Sequence, residues 1–344
     1  MKGLKIVVLA KQVPDTRNVG KDAMKANGTV NRAALPAIFN PEDLLALEQA
    51  LLIKDQLPGT TITVVTMGPI RAANILRDAL FRGADKGVLI TDKKFAGSDT
   101  LATSYVLSLA LKKLQPFDLV LSGRQAIDGD TAQVGPQVAE KLNIPQITYV
   151  EKVVAVTSKE ITCLRRVDSG VETLKGKLPM LLTVHGSAPT CRTRHAKLLM
   201  KYKHASTPSE MSNEREDYIK MHEERHYLDL IEWNVNDLHA NEELLGLHGS
   251  PTKVNAVTNI VFTAKESKTI EPVDTEIDQL MAELDHELGN VVNGLLGMTR
   301  LVRESGLSAE QDYWLEAIEQ SGRQLGRLAK AFRRRAKTPE RPVR

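Results

Sequence analysis

The sequence predicts an α/β protein in which a parallel sheet is covered by helices on both faces. Two observations predict this fold class. In the first half of the 344 residues, short apolar runs alternate with amphipathic segments, which is typical of parallel strands joined by helices. The first of these runs, Leu4–Ala10, is almost entirely apolar, as expected for a strand that is buried on both faces.

The elements of this sheet follow one another in a regular order, which predicts a Rossmann-like arrangement. Predicted strands cover Leu4–Ala10, Thr61–Met67, Gly87–Thr91 and Asp118–Ser122. Predicted helices run from Pro41 to about Lys54, from Pro69 to Phe81, from Ser98 or Asp99 to about Leu114, and from Thr131 to Leu142. Acidic residues follow Pro41 directly, where a helix dipole favours negative charge.

After Pro145 the pattern changes to short β-rich runs joined by polar turns, which predicts a small antiparallel β extension. The runs are Ile147–Thr157, Glu160–Val167, Val171–Leu174 and Met180–Val184. From residue 192 to 245 the chain is charged and irregular, as in an arm that is exposed to solvent or reaches across a partner. We therefore place a first domain at 1–205 and a charged arm with an extension at 206–273.

The last seventy residues predict a C-terminal α-helical hairpin at 274–337, followed by a basic frayed tail at 338–344. Apolar positions from Ile277 onward advance by threes and fours, stop at Gly306, and resume at Gln311. Spacings of this kind mark one apolar seam on each of two helices. Because one hairpin buries only one stripe per helix, two hairpins that pair into a four-helix bundle would satisfy both seams.

Composition and charge exclude several classes of protein. Apolar residues make up 42% and charged residues 26%, which argues against a disordered or collagen-like chain. Aromatic residues are only 4%, so an aromatic platform for single-stranded nucleic acid is not expected. The net charge of +3 combines +8 in Arg323–Arg344 with −5 in the rest of the chain.

The cysteines, the N-terminus and the apolar runs bear on the compartment. Cys163 and Cys191 have no metal-binding or redox spacing, so we expect reduced thiols, no metal site and a cytoplasmic location. The N-terminal apolar run is too short for a signal peptide. No run of eighteen apolar residues occurs, so no transmembrane segment is expected.

The segment GRQAIDGDTAQVGPQ, residues 123–137, is the first candidate for a binding site. It follows the predicted strand Asp118–Ser122, and open α/β sheets bind ligands at the carboxyl ends of their strands. Gly123 and Gly129 permit tight turns, and the helix start near Thr131 offers N–H groups to an anion. Asp128 and Asp130 could accept hydrogen bonds from ribose hydroxyls or organise the loop. From spacing alone, a plain βα loop remains the alternative.

Two further strand ends are expected to face the same crevice. One is the stretch from Leu9 to Thr16, and the other is Met67-Gly68-Pro69. The turn Asn40–Asp43 opens the helix between them. Because several strand ends converge on one place, the nucleotide-site interpretation is favoured over an isolated loop.

Several stretches of the first 205 residues are similar to the beta subunit of electron transfer flavoproteins. They include KIVVLAKQVPDT, FNPEDLLALEQALLIKD, LRDALFRGADKGVLITD, LVLSGRQAIDGDTAQVGPQVAEKL and VETLKGKLPMLLTV. The similarity extends through GLHGSPTKVNAV to about residue 268, in a form that resembles a quinone-linked, iron–sulfur-associated subgroup. The resemblance implies an obligate alpha subunit that holds the electron-carrying FAD. It also implies a second nucleotide in this chain, AMP in the simpler members and FAD in the electron-bifurcating ones.

The nucleotide contacts of that family fall on matching positions of this sequence. They are Leu9, Asn40, Pro41, Glu42, Asp43, Met67, Gly123, Arg124, Gln125, Ala126, Ile127, Asp128, Gly129, Asp130, Thr131, Ala132, Gln133 and Val134. The motif AIDGDTAQVGP and the Asn-Pro-Glu-Asp turn resemble the bifurcating branch, so FAD is expected here, with AMP as the alternative.

The resemblance implies an electron-carrier subunit rather than a stand-alone enzyme. With its alpha partner, the chain would pass electrons from a dehydrogenase, or from NADH, towards a quinone reductase, and electron bifurcation is a further expectation. The flavin supplies the chemistry, so no side chain is expected to act as an acid–base catalyst. After Val184 the sequence departs from many relatives, and Leu198 and Leu199 are candidates for an apolar anchor that docks the dehydrogenase. The alternative is that both leucines belong to the core.

The predicted hairpin resembles the dimerisation and phosphoacceptor hairpin of sensor histidine kinases over about residues 284–332. The resemblance places the phosphoacceptor on His286, with Glu287 as the neighbouring base and Asn290 as the polar residue used in dephosphorylation. Glycine-rich kinase loops do not occur in the sequence, so the chain is not expected to phosphorylate His286 by itself. Two interpretations stay open: a signalling adaptor that accepts phosphate on His286, or a hairpin that only dimerises the chain.

Overall fold

The computed structural model describes residues 3–15, 36–212 and 216–252, together with eight single residues beyond them. The chain divides into two compact units, Met1–Val261 and Phe262–Arg344. The described elements of the first unit alternate as predicted. Its strands are β1 (Lys5–Leu9), β2 (Gln12–Pro14), β3 (Ala37–Phe39), β4 (Thr61–Met67), β5 (Lys86–Ile90), β6 (Leu119–Gly123), β7 (Gln146–Val156), β8 (Glu160–Val167), β9 (Gly170–Lys177), β10 (Met180–Val184) and β11 (Ile231–Trp233). Its helices are α1 (Pro41–Gln56), α2 (Ala73–Arg82), α3 (Thr100–Lys113), α4 (Val134–Leu142), α5 (Ala196–Tyr202), α6 (Pro208–Met211) and α7 (Glu216–Glu224).

Within residues 3–252, nine strands form one sheet in the order β11-β5-β4-β1-β6-β10-β7-β8-β9. The pairs from β11 to β7 are parallel, whereas β7–β8 and β8–β9 are antiparallel. The strands β2 and β3 form a separate antiparallel pair. The predicted α/β fold with a Rossmann-like parallel sheet and a small antiparallel extension is confirmed.

Helices cover both faces of the sheet because β1 alternates its side chains between two cores. Ile6 and Val8 belong to the core beneath α1 and α2, and Val7 and Leu9 belong to the core beneath α3 and α4. A strand that is buried on both faces must be apolar at every position, which explains the continuous run in the sequence.

One strand of the predicted antiparallel extension lies elsewhere. Met180–Val184 is β10, which is inserted between β6 and β7 and pairs in parallel with both. All five of its residues are buried. The continuous apolar sequence MLLTV is therefore that of an inner strand rather than of a half-exposed extension.

The segment predicted as a charged arm packs against the body as far as the structure describes it. The strand β11 pairs with β5 at the edge of the main sheet. Leu228 and Leu230 are buried in one core, and Val235, Leu238 and Leu245 are buried in the other. These isolated apolar residues among charges anchor the segment, which is why it shows no continuous core face in the sequence.

The predicted hairpin at 274–337 lies outside the described residues, apart from eight single positions. These are His286, Val292, Thr299, Leu315, Glu316, Ile318, Glu319 and Gly322, and all are helical. The hairpin therefore stays a prediction. Among the described residues, no helix is both long enough and apolar enough to cross a membrane.

Candidate functional site

A cavity of about 900 Å³ opens at the carboxyl ends of β1, β4, β5 and β6. This is the edge at which open parallel sheets bind ligands. The strand ends contribute Leu9, Met67, Thr91 and Gly123 to its wall. The three strand ends and loops expected to converge from the sequence therefore do so, and β5 joins them.

Most of the residues predicted as nucleotide contacts line this cavity. They are Leu9, Asp43, Met67, Gly123, Arg124, Gln125, Ala126, Gly129, Asp130, Thr131, Ala132, Gln133 and Val134. Asn40, Pro41, Glu42, Ile127 and Asp128 are not among the lining residues. The hydrogen bonds and ion pairs of Asn40, Glu42 and Asp128 show what these three side chains do instead.

The side chains of Asn40 and Glu42 hold the backbone of the glycine loop, which we define as residues 123–133. Asn40 Nδ2 donates to the carbonyl of Gln125 at 2.9 Å, and its Oδ1 accepts from the Ile127 N–H at 3.2 Å. Glu42 Oε2 accepts from the Gln125 N–H at 2.9 Å. The Asn40–Asp43 turn thus shapes the loop from behind.

Asp43 continues this support inside the cavity. Its Oδ1 accepts from the Gly123 N–H at 2.8 Å, and its Oδ2 accepts from the Lys11 N–H at 2.9 Å. Burial raises the pKa of the Asp43 carboxyl to about 7, against the lowering effect of these backbone donors. The carboxyl group therefore ties β6 to β1 at the floor of the site and titrates near neutrality.

The two acids of the loop have different roles. Asp128, which does not line the cavity, forms an ion pair with the lining residue Lys11, with Nζ to Oδ1 at 2.7 Å. Asp130 lines the cavity and accepts from Gln125 Nε2 at 2.8 Å. Of the two alternatives from the sequence, loop organisation describes the observed contacts of Asp128, while Asp130 is placed where it could meet a ligand.

The helix predicted from Thr131 begins at Val134 instead. Asp130 and Ala132 have φ values of +49° and +52°, which no α-helix contains. Such left-handed conformations of non-glycine residues occur preferentially at functional sites, where the surroundings hold them. The three residues before Val134 therefore remain part of the cavity wall.

One wall of the cavity, the segment from Thr91 to Thr100, was not predicted from the sequence. Of this segment, Asp92, Lys93, Phe95, Ala96, Gly97, Ser98 and Asp99 line the site between the ends at Thr91 and Thr100. Ile70 and Arg71, after β4, were also missed. The signal was present, because the segment follows the strand β5 as the glycine loop follows β6. The same strand-end rule, applied to Gly87–Thr91, would have found it.

The lining of the cavity as a whole carries both charged and apolar side chains. Positive charge comes from Lys11, Arg71, Lys93 and Arg124, and carboxyl groups come from Asp43, Asp92, Asp99 and Asp130. Apolar side chains come from Met67, Ile70, Phe95, Leu107 and Val134. Arg124 is also held by Glu42, with Nη2 to Oε1 at 3.1 Å. Its Nε is buried without a hydrogen-bond partner in the described part of the chain. The lining thus combines charged groups of both signs with an apolar surface, which suits a ligand that carries both polar groups and aromatic rings.

Other predicted residues lie away from this cavity. Leu198 is partly buried against the core, whereas Leu199 on α5 is 37% exposed. His286 is helical and exposed, while Glu287 and Asn290 lie outside the described residues, so the phosphoacceptor site stays a prediction. No group of His, Cys, Asp or Glu side chains in the described residues could hold a metal ion.

Comparisons with known proteins agree with the fold. The profile of the electron transfer flavoprotein domain matches residues 27–207, which include the glycine loop. The chain is 39% identical over 289 residues to the electron transfer flavoprotein subunit beta of Clostridium acetobutylicum, which covers 83% of this chain and 99% of that protein.

Two further relatives are subunits with related names. The caffeyl-CoA reductase-Etf complex subunit CarD of Acetobacterium woodii is 41% identical over 251 residues, or 73% of this chain and 86% of that protein. Protein FixA of Sinorhizobium fredii is 38% identical over 290 residues, which cover 82% of this chain and 91% of that protein. These matches support a role in electron transfer. The chain belongs to the electron transfer flavoprotein family and is similar to its beta subunits.

Proposed function

We propose that the cavity binds FAD, with AMP as the alternative ligand. The observation that carries the proposal is the size and place of the cavity, about 900 Å³ at the carboxyl edge of the sheet. This volume lies near the upper end of the range of about 300–1,000 Å³ found for small-molecule sites, and FAD contains AMP as one half of its structure. The larger ligand therefore uses the space better.

The lining residues fit such a ligand. An added Cβ at Gly129 would meet no atom within 4 Å, so the loop leaves open space there. The glycine loop, which leads into the start of α4, offers backbone N–H groups and the hydroxyl of Thr131 to a phosphate, and the hydroxyl of Thr103 lines the same cavity. Arg124, which lines the cavity, adds a positive charge. Apolar side chains such as Ile70 and Phe95 would pack against an aromatic ring.

In this proposal the chain itself performs no acid–base step. FAD, when bound, supplies the electron-transfer chemistry. The residues of the chain bind and orient the nucleotide and limit the access of water, and Asp43 keeps the strand ends in place. This division of work is consistent with a carrier subunit rather than with a stand-alone enzyme.

We propose further that the chain acts in a heterodimer with an alpha subunit. Relatives named as the beta subunit of electron transfer flavoproteins and as part of a caffeyl-CoA reductase-Etf complex support such an assembly. The heterodimer would pass electrons from a dehydrogenase or NADH towards a quinone reductase, with bifurcation between two acceptors where both subunits carry flavin. The exposed Leu199 on α5 is the candidate anchor for the dehydrogenase.

The test is to purify the heterodimer and to quantify its nucleotides after denaturation. We expect two molecules of FAD per heterodimer, one from each subunit. One FAD together with one AMP would overturn the choice of FAD but keep the nucleotide site. A heterodimer with a single flavin and no second nucleotide would contradict the proposed site altogether.

A further inference from the structure

A segment near the end of the first unit wraps around the missed wall of the cavity. We call residues 231–252 the strap and residues 91–100 the wall. After β11, the Val235 N–H donates to Asp92 Oδ2 at 3.3 Å, and the Asn241 N–H donates to the hydroxyl of Tyr105 at 3.0 Å. The strap thus follows the wall and the helix α3 on the side away from the ligand space.

The last residues of the strap bind the wall through Asp99. The Asp99 N–H donates to Ser250 Oγ at 2.8 Å, and the same hydroxyl donates to the carbonyl of Gly246 at 2.6 Å. The Thr252 N–H donates to Asp99 Oδ2 at 3.1 Å. Ser250 is only 3% exposed, so its hydroxyl has both a donor and an acceptor partner in a place with little water.

Asp99 transmits this position to the first turn of α3. Its Oδ1 accepts from the N–H groups of Leu101 and Ala102 at 2.9 and 3.0 Å, which caps the helix. Burial alone would raise the pKa of Asp99, but the N–H donors of Ala102, Thr252 and Leu101 together hold it below its ordinary value. The capping carboxylate is therefore shared between the helix and the strap.

Close packing fixes the wall against the strap at two glycines. A Cβ added to Gly97 would lie 2.5 Å from Leu247 Cγ, and φ at Gly97 is +77°. A Cβ added to Gly246 would lie 2.5 Å from the carbonyl oxygen of Lys94, and φ at Gly246 is +55°. Lys94 and Glu242 add an ion pair between the two segments. Neither segment can shift far without the other.

We propose that Ser250 is a positioning residue of the nucleotide site, because it holds Asp99 and with it the wall and the first turn of α3. The strap lies beyond the residues 27–207 that match the family domain, yet its contacts sit directly behind residues that line the cavity. Since coupling between two sites is reciprocal, a bound nucleotide must also stabilise the strap. This inference rests on the proposed nucleotide binding for its functional consequence, but the positioning itself can be measured separately.

The first experiment compares Ser250→Ala with Ser108→Ala in the heterodimer. Ser108 is a matched control, because it is buried in α3 and its hydroxyl donates to the carbonyl of Tyr105 at 2.7 Å, within the same helix. We expect Ser250→Ala to weaken binding of added FAD at the beta site about tenfold, as for one lost hydrogen bond, and Ser108→Ala to leave it unchanged. Equal affinities for both variants would overturn the inference.

The second experiment measures amide hydrogen exchange of the heterodimer without added nucleotide. Ser250→Ala should accelerate exchange across residues 92–104, and Ser108→Ala should not. Unchanged exchange across 92–104 would overturn the inference whether or not FAD binds. A third outcome is possible: Ser250→Ala accelerates exchange, but the wild-type heterodimer binds neither FAD nor AMP. This outcome would contradict the proposed function, whereas the inference that Ser250 holds residues 91–100 in place would stand.

A second variant covers the case in which Ser250→Ala does not fold. Thr252→Pro removes the N–H that donates to Asp99 Oδ2 at an exposed position, and it leaves the buried hydroxyl of Ser250 in place. It should accelerate exchange across 92–104 and weaken FAD binding in the same direction. A Thr252→Pro protein with wild-type exchange and wild-type affinity would contradict the inference.

Discussion

Asp43 is a buried carboxyl group whose position makes the stability of the chain depend on pH. Its pKa is raised from 3.8 to about 7, so between these values the folded state holds a proton that the unfolded state has lost. The free energy of unfolding must therefore fall as the pH rises from about 4 to about 7, and level off above it. The contribution is on the order of a few kcal/mol.

We expect Asp43→Asn to lose this pH dependence, because the amide does not titrate. Thermal melts at several pH values between 4 and 8 check the prediction. The control is Asp168→Asn in the exposed turn between β8 and β9, which should keep the wild-type profile. If the melting temperature of Asp43→Asn still falls over this range as in the wild type, another group must be responsible.

Gly123 lies at a close approach between the glycine loop and the helix α1. An added Cβ would lie 2.6 Å from Asp43 Oδ1 and 2.7 Å from the Asp43 nitrogen, and this backbone atom cannot move aside. We expect Gly123→Ala to destabilise the protein by about 1–3 kcal/mol, as overpacking of a core does. Gly129→Ala is the control, since it meets nothing within 4 Å. Urea denaturation should separate the two, and equal stabilities would contradict the close approach.

At the scale of elements, the sequence predicted the sheet because apolar runs such as Leu4–Ala10 report burial on both faces. The same signal misled where Met180–Val184 was grouped with an antiparallel extension, because an apolar run does not reveal its neighbours in the sheet. The cavity was found through the ends of β1, β4 and β6. The wall from Thr91 to Thr100 was missed although β5 has the same geometry.

The strap shows what the sequence could not reveal at this scale. Its apolar anchors, Val235, Leu238 and Leu245, are separated by charged and polar residues and form no periodic face. Its main link to the site is a hydrogen bond between Asp99 and Ser250, which are 151 positions apart in the chain. Such long-range contacts form only once β11 has paired with β5 at the edge of the sheet. They therefore leave no recognisable pattern in the local sequence.

At the scale of the whole molecule, the first unit contains every described residue that lines the cavity, between Leu9 and Gly135. The basic end of the chain, with +8 in Arg323–Arg344, belongs to the second unit. Nucleotide binding and the function of the hairpin should therefore be separable. We propose that the predicted hairpin at 274–337 mediates self-association. A single hairpin cannot bury its apolar seams completely, whereas two hairpins paired into a four-helix bundle can.

Deletion of residues 274–344 tests this separation in the purified heterodimer. If two hairpins pair into a four-helix bundle, the full-length complex is a dimer of heterodimers, and the deletion halves its mass in solution. The nucleotide content per heterodimer should stay the same, because no cavity residue is removed. A deletion of 338–344 alone is the control for truncation at the C-terminal end, because it leaves both predicted helices in place, and the complex should keep the same number of heterodimers as the full-length protein. Light scattering that finds the same number of heterodimers per complex before and after the longer deletion would contradict dimerisation through the hairpin.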